Sequence, residues 1–202
     1  MKLRPPTERD GALARFRTLI ERYQSTLDLM SPKAFATLDR HIDQSLAYVD
    51  GLTELSPAPT RAIDVGSGVG LPGIVIAAAL DELPIELIER RRKRATFLRM
   101  AAAAVVESVG AEVQVREGDV RTVDGPAVDV VTAQAVADFA TVHGLTAHRH
   151  GPTVTLLARK GPTWRDEVAA LEAATGSAAE VVVARPLDRG GTLVAVRTQG
   201  GA

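Results

Sequence analysis

The chain has 202 residues, 46% of them hydrophobic and 24% charged, with a formal net charge of −1. That balance describes a globular chain able to bury a core; it excludes a disordered one, and it excludes nucleic-acid binding driven by overall charge rather than a local patch. The absence of cysteine rules out disulfides and thiolate chemistry and fits a cytoplasmic setting, and no apolar run is long enough to span a membrane.

Met1-Lys2-Leu3-Arg4-Pro5-Pro6 has no apolar stretch behind it and does not read as a signal peptide. Residues 1–9 read as a loose start. From Asp10 to Leu29 the pattern is helical, with Leu13, Phe16, Ile20, Tyr23 and Leu27 recurring at helical steps. Ser31-Pro32 marks a new helix start, serine at the cap and proline in the first turn. Phe35, Leu38, Ile42, Leu46 and Val49 continue an apolar stripe in two short helices. Residues 1–55 therefore form a helical N-terminal segment. Ser56-Pro57-Ala58-Pro59-Thr60 joins it to residues 56–202 within one structural unit.

Beyond residue 60, strands alternate with helices. Strands are expected near 61–65, 85–89, 111–116, 127–132, 153–158, 179–185 and 191–197, and helices over 71–81, 90–108, 135–148 and 163–174. Such alternation implies an α/β fold with a mainly parallel sheet and right-handed crossovers. Only Pro186-Leu187-Asp188-Arg189-Gly190 separates the last two strands, too little for a helical crossover, so they form an antiparallel hairpin.

Asp64-Val65-Gly66-Ser67-Gly68-Val69-Gly70-Leu71-Pro72-Gly73 dominates this half. An apolar strand runs into a glycine turn and then a helix, whose first N–H groups point into the same space. Gly68-x-Gly70-x-x-Gly73 satisfies the dinucleotide pattern literally. The fuller string resembles motif I of the class I S-adenosylmethionine methyltransferases. The choice turns on Asp64: an acid beside the loop repels a pyrophosphate and suits an ammonium and a sulfonium. Seven strands ending in a hairpin also resemble the methyltransferase form of the Rossmann-like fold more than a dehydrogenase. Asp64, Gly66, Ser67, Gly68, Gly70 and Leu71 are accordingly the expected cofactor loop.

Glu89 ends the second strand, where an acid accepts from ribose hydroxyls in both families; the lesser alternative is a solvated acid paired with Arg92 or Lys93. Arg90-Arg91-Arg92-Lys93-Arg94 sets five cations at a helix N-terminus, against the helix dipole, either as a solvated face or as a phosphate-contacting patch. After the third strand, at Glu117-Gly118-Asp119-Val120, methyltransferases commonly read adenine, here with Asp119 accepting from the amine and the Val120 N–H meeting a ring nitrogen. Asp119 could instead cap the turn after it. Thr132 and Gln134 are the polar residues at the exit of the fourth strand. Lys160 ends the fifth, as an anion ligand or as a partner of Asp166. His148-x-His150 reads as a polar helix end rather than a metal site, and no metal is expected.

Asp64-Val65-Gly66-Ser67-Gly68-Val69-Gly70-Leu71-Pro72-Gly73-Ile74, Lys93-Arg94-x-x-Phe97-Leu98-Arg99, Thr132-Ala133-x-Ala135-Val136 and Lys160-Gly161 together resemble the RsmG (GidB) family. Arg40-His41-Ile42-x-x-Ser45-Leu46 extends the likeness into the N-terminal segment. The resemblance implies methylation of guanine N7 in small-subunit ribosomal RNA, with S-adenosylmethionine as cofactor and the ribosomal RNA or subunit as partner. It also adds Gln134 to the cofactor residues. Guanine N7 already carries a lone pair, so the reaction needs alignment rather than a general base. No residue is assigned as one. The substrate-side candidates are Gln134, Lys160 and Asp43, the last to ease the positive charge of the alkylated base. Three positions depart from the family pattern: Gln44 stands for aspartate, Gln134 for arginine and Asp28 for asparagine. These departures keep open a small-molecule or other-RNA methyltransferase on the same scaffold, or an inactive cofactor-binding homologue.

Overall fold

The computed structural model describes residues 1–187 and 190–201, so Asp188 and Arg189 of the expected hairpin connection lie outside the described residues. A two-residue strand, β1 (Lys2–Leu3), precedes helix α1 (Pro6–Leu27). Pro6 sits in the first turn, where a missing N–H matters least, and Ala12, Leu13, Phe16 and Ile20 make the buried stripe. The helix ends at Asp28 in a left-handed conformation (φ 50°). Gln24 then clamps Met30 by both backbone groups. Helix α2 (Pro32–Phe35) is capped by Ser31, whose Oγ accepts the Ala34 N–H at 3.3 Å; α3 (Leu38–Thr53) follows.

The second half runs β2 (Ala62–Val65), α4 (Gly73–Ala79), β3 (Leu80–Asp81), β4 (Ile85–Glu89), α5 (Arg92–Val109), β5 (Val113–Glu117), β6 (Val128–Ala133), α6 (Phe139–Thr146), β7 (His150–Lys160), α7 (Trp164–Thr175), β8 (Glu180–Pro186) and β9 (Thr192–Gln199). Seven strands form one sheet in the order β5-β4-β2-β6-β7-β9-β8. The first five run parallel, and β9 is antiparallel to both β7 and β8. Every residue of β2 and β4 is buried, as expected for strands covered on both faces.

The residues before Asp10 differ from the loose start expected. β1 pairs antiparallel with β3, and the Arg4 N–H donates to the Ala79 carbonyl at 2.9 Å, tying the N-terminus to the end of α4. Helix α6 starts at Phe139 rather than 135. Asp138 caps it, accepting the Thr141 N–H at 2.7 Å, and Ala135 has φ 55°, which no helix accommodates.

Side chains alternate across β2. Ile63 and Val65 face the layer of α6 and α7, with Phe139, Leu156, Trp164 and Leu171. Ala62 faces the other layer, where α1, α3, α4 and α5 share one cluster that includes Phe16, Ile20, Leu52, Ile74 and Phe97. Asp64 falls on that second face by the same alternation. Strand order reverses at β2, between β4 and β6, and ligands bind outside the carboxyl ends of strands at such a point.

Candidate active site

The glycine turn leaves β2 at that point. Gly66, Gly68 and Gly70 have φ of 67°, 58° and 100°, and at Gly70 a Cβ would also meet Ile74 Cγ1 at 2.4 Å. Gly73 is required for a different reason. A Cβ there would lie 2.3 Å from Leu87 Cδ2 and 2.7 Å from Asp64 Oδ2, so the start of α4 can approach β2 only with glycine. The Gly66 and Ser67 N–H groups both donate to the Ile88 carbonyl, at 2.9 and 3.1 Å, and Ser67 Oγ donates to the Asp64 carbonyl at 2.8 Å.

Asp64 lies beneath this turn, 1% exposed. Register places it beside Thr132 of β6, whose hydroxyl donates to Asp64 Oδ1 at 2.7 Å; Oδ2 lies against Gly73 at the start of α4. Burial pushes the carboxyl up to about 6; hydrogen bonding from Thr132, Ser67 and the Gly73 backbone opposes this, and the nearby charge of Glu89 adds to it. Glu89, 5% exposed, braces the turn from β4: it accepts the Gly68 N–H at 3.0 Å and the Arg91 N–H at 2.7 Å.

Above the strand ends is a cavity of about 430 Å³. Gly66, Glu89, Asp119 and Val120, four of the residues expected from sequence, line it together with Ala135 and Val136, which were not expected, and with Arg90, Arg91 and Arg94 of the basic run. Asp64, Ser67, Gly68, Gly70 and Leu71 shape the turn and are not in the cavity wall. Asp119 does double duty. It lines the cavity, and it caps a short 3-10 turn (Val120–Thr122) while pairing with Arg121 at 2.6 Å. Hydrogen bonds from Arg121 hold its carboxyl down to about 2.

The substrate-side candidates are dispersed. Gln134 sits just before Ala135, its Oε1 buried and without a partner among the described residues. Lys160 lines an adjoining cavity of about 310 Å³ that shares Ala135 and Val136 with the first. Its ammonium donates to the Ala137 carbonyl at 2.8 Å, pairs with Glu167 (rather than Asp166) at 2.7 Å and lies 4.3 Å from the Phe139 ring centroid. Lys160 thus holds the 134–138 loop in place. Asp43 is on α3, in the wall of a third cavity. Thr132, expected to face the ligand, is instead fully buried against Asp64. Residues 90–93 are exposed, and none of the five cations of residues 90–94 makes an ion pair among the described residues. Among the described residues, no cluster of three or more His, Cys, Asp or Glu could hold a metal, and no helix is long and apolar enough to cross a membrane.

The chain is similar to known proteins in sequence and in fold. The family described as rRNA small subunit methyltransferase G matches residues 10–188. A ribosomal RNA small subunit methyltransferase G from Bradyrhizobium diazoefficiens is 38% identical over 143 residues, 68% of this chain and 53% of that protein. One from Halorhodospira halophila is 35% identical over 167 residues, 82% of this chain and 76% of that protein. The chain thus spans about half the length of the first relative and three quarters of the second. Among solved structures, a ribosomal protein L11 methylase from Lactobacillus delbrueckii subsp. bulgaricus is similar with a TM-score of 0.57, over 79% of each chain at 11% identity, a likeness of fold. By its glycine turn, its strand order and the match over residues 10–188, the chain belongs to the rRNA small subunit methyltransferase G family.

Proposed function

We propose that this protein is an S-adenosylmethionine-dependent methyltransferase that modifies N7 of a guanine in small-subunit ribosomal RNA, and hence works in the cytoplasm. The observation that carries this reading is the 430 Å³ cavity, set over a buried aspartate in a chain of that family. The residues fit the cofactor. Glu89 has two oxygens in the cavity wall region, each accepting one backbone N–H, and a carboxylate has lone pairs to spare for two ribose hydroxyls. The buried carboxyl of Asp64 places negative potential under the turn, which favours a cationic group of the ligand there. Asp119 and the Val120 N–H are the groups for adenine.

Bound there, S-adenosylmethionine supplies a methyl group activated by a sulfonium. The chain's part is to bind, align and exclude water. Lys160 fixes the 134–138 loop through Ala137, and that loop closes the rim between the two cavities. The cations of residues 90–94 are unfavourable to α5 itself; Arg90, Arg91 and Arg94 line the cofactor cavity, and exposed Arg92 and Lys93 are available to RNA phosphates. Calorimetric titration with S-adenosylmethionine tests the cavity. Saturable binding that is weakened in Glu89→Gln supports it; absence of binding to the folded protein removes the reading.

A further inference from the structure

Between α3 and Leu187, just past β8, lies a cavity of about 530 Å³ that the cofactor reading does not use. Arg40, Asp43 and Gln44 stand in its wall. Gln44 is 7% exposed, yet neither its Nε2 nor its Oε1 has a hydrogen-bond partner among the described residues. Arg40 Nε is likewise buried and unpartnered. A buried amide with both ends unmet is destabilising, and an apolar side chain of the same shape would serve the fold better. A ligand with a matching donor–acceptor edge relieves both ends at once.

The cavity belongs to the same rim as the cofactor site. Gln44 and Tyr48 lie one helical turn apart on α3 and are both buried. Tyr48 Oη accepts the Arg159 N–H at 2.9 Å, at the carboxyl end of β7. Arg159 lines the 310 Å³ cavity that adjoins the cofactor cavity through Ala135 and Val136.

The wall offers an amide donor, an amide acceptor and, from Asp43, an exposed carboxylate. Guanine's Watson–Crick edge presents an acceptor and two adjacent donors; each other base of RNA presents a single donor group there. We propose that this cavity grips the target guanine by its Watson–Crick edge, with Gln44 and Asp43 as specificity-determining residues. The inference rests on the guanine-methylating reading above. Held by its N1 and N2 donors, an unstacked guanine keeps N7, on the neighbouring Hoogsteen edge, clear of Gln44 and Asp43. Arg40 adds a donor for the base oxygen.

The test titrates the protein, saturated with S-adenosylhomocysteine, with guanosine monophosphate and separately with adenosine monophosphate. The readout is the side-chain amide resonances, with the Gln44 pair identified by its absence in Gln44→Met. Guanosine monophosphate is expected to shift that pair saturably below about 10 mM, with adenosine monophosphate at least about tenfold weaker. Asp43→Asn and Gln44→Met should lose the preference while binding S-adenosylhomocysteine as before. Gln44→Met should also melt about 2–4 °C higher, because it removes the unmet amide. An unmoved Gln44 pair, equal response to both nucleotides, or a lower melting temperature would overturn the proposal. S-adenosylhomocysteine binding is measured first and on its own, so failure there counts against the methyltransferase reading and failure at Gln44 against the guanine cavity alone.

Discussion

Asparagine at position 64 keeps the shape of the aspartate and removes its charge. Asp64 is 1% exposed, with one oxygen held by Thr132 and the other packed against Gly73. Its carboxyl is raised from 3.8 to about 6 by burial. The folded state therefore holds this proton more tightly than the unfolded chain does. The resulting stability is fully present below the unfolded value near 4 and is lost as pH rises through about 6. The difference is worth about 3 kcal/mol, or roughly 6–12 °C of melting temperature for a chain of this length. Asp64→Asn should thus melt well above the parent protein at about pH 8, with the gap shrinking below about pH 6 and closing near pH 4. Thermal unfolding followed by circular dichroism across that range measures it. A gap that is absent or negative at the alkaline end, or that does not change with pH, would refute the claim that Asp64 is kept ionised against its burial. The same variant should bind S-adenosylmethionine at least about tenfold more weakly, since the charge that favours a cation is gone.

Other substitutions test other parts. Arg149 is 1% exposed and pairs with buried Glu86 at 2.7 Å, while also donating to the Val123 and Pro126 carbonyls. Arg149→Met should destabilise the fold by about 3–5 kcal/mol in urea unfolding, and Glu86→Leu on that background should recover part of the loss. Glu89→Gln removes the charge that accepts the Gly68 and Arg91 N–H groups and should weaken S-adenosylmethionine binding by about 10- to 100-fold in calorimetry. Neutralising Arg92 and Lys93 together, which lie outside the cofactor cavity wall, should lower RNA affinity and reduce the slope of log affinity against log salt by about 0.7 for each phosphate no longer neutralised, with S-adenosylmethionine binding retained.

Much of the architecture is legible because local chemistry dictates it. Three spaced glycines after an apolar strand can be read as a ligand turn, and a five-residue connection forces the β8–β9 hairpin. What is not legible depends on register and on long-range partners. Thr132 looks like a ligand-facing hydroxyl until pairing of β2 with β6 sets it against Asp64. Lys160 looks available for an anion until the folding of α7 brings Glu167 to it. Strands β1 and β3 have two residues each, too few to show alternation. Nothing in the composition around Ala135 marks its positive φ, yet it decides where α6 can begin and where the cavity wall stands. The burial of Gln44 is hidden in the same way. Its neighbour Asp43 is exposed, and only the packing of α3 separates the two.

Guanine-N7 methylation is tested most directly by incubating the protein with methyl-labelled S-adenosylmethionine and small-subunit ribosomal RNA, deproteinised and within the subunit, and mapping the label. Label is expected on N7 of a guanine. Label absent from RNA in both forms, with the protein folded and the cofactor bound, would contradict it.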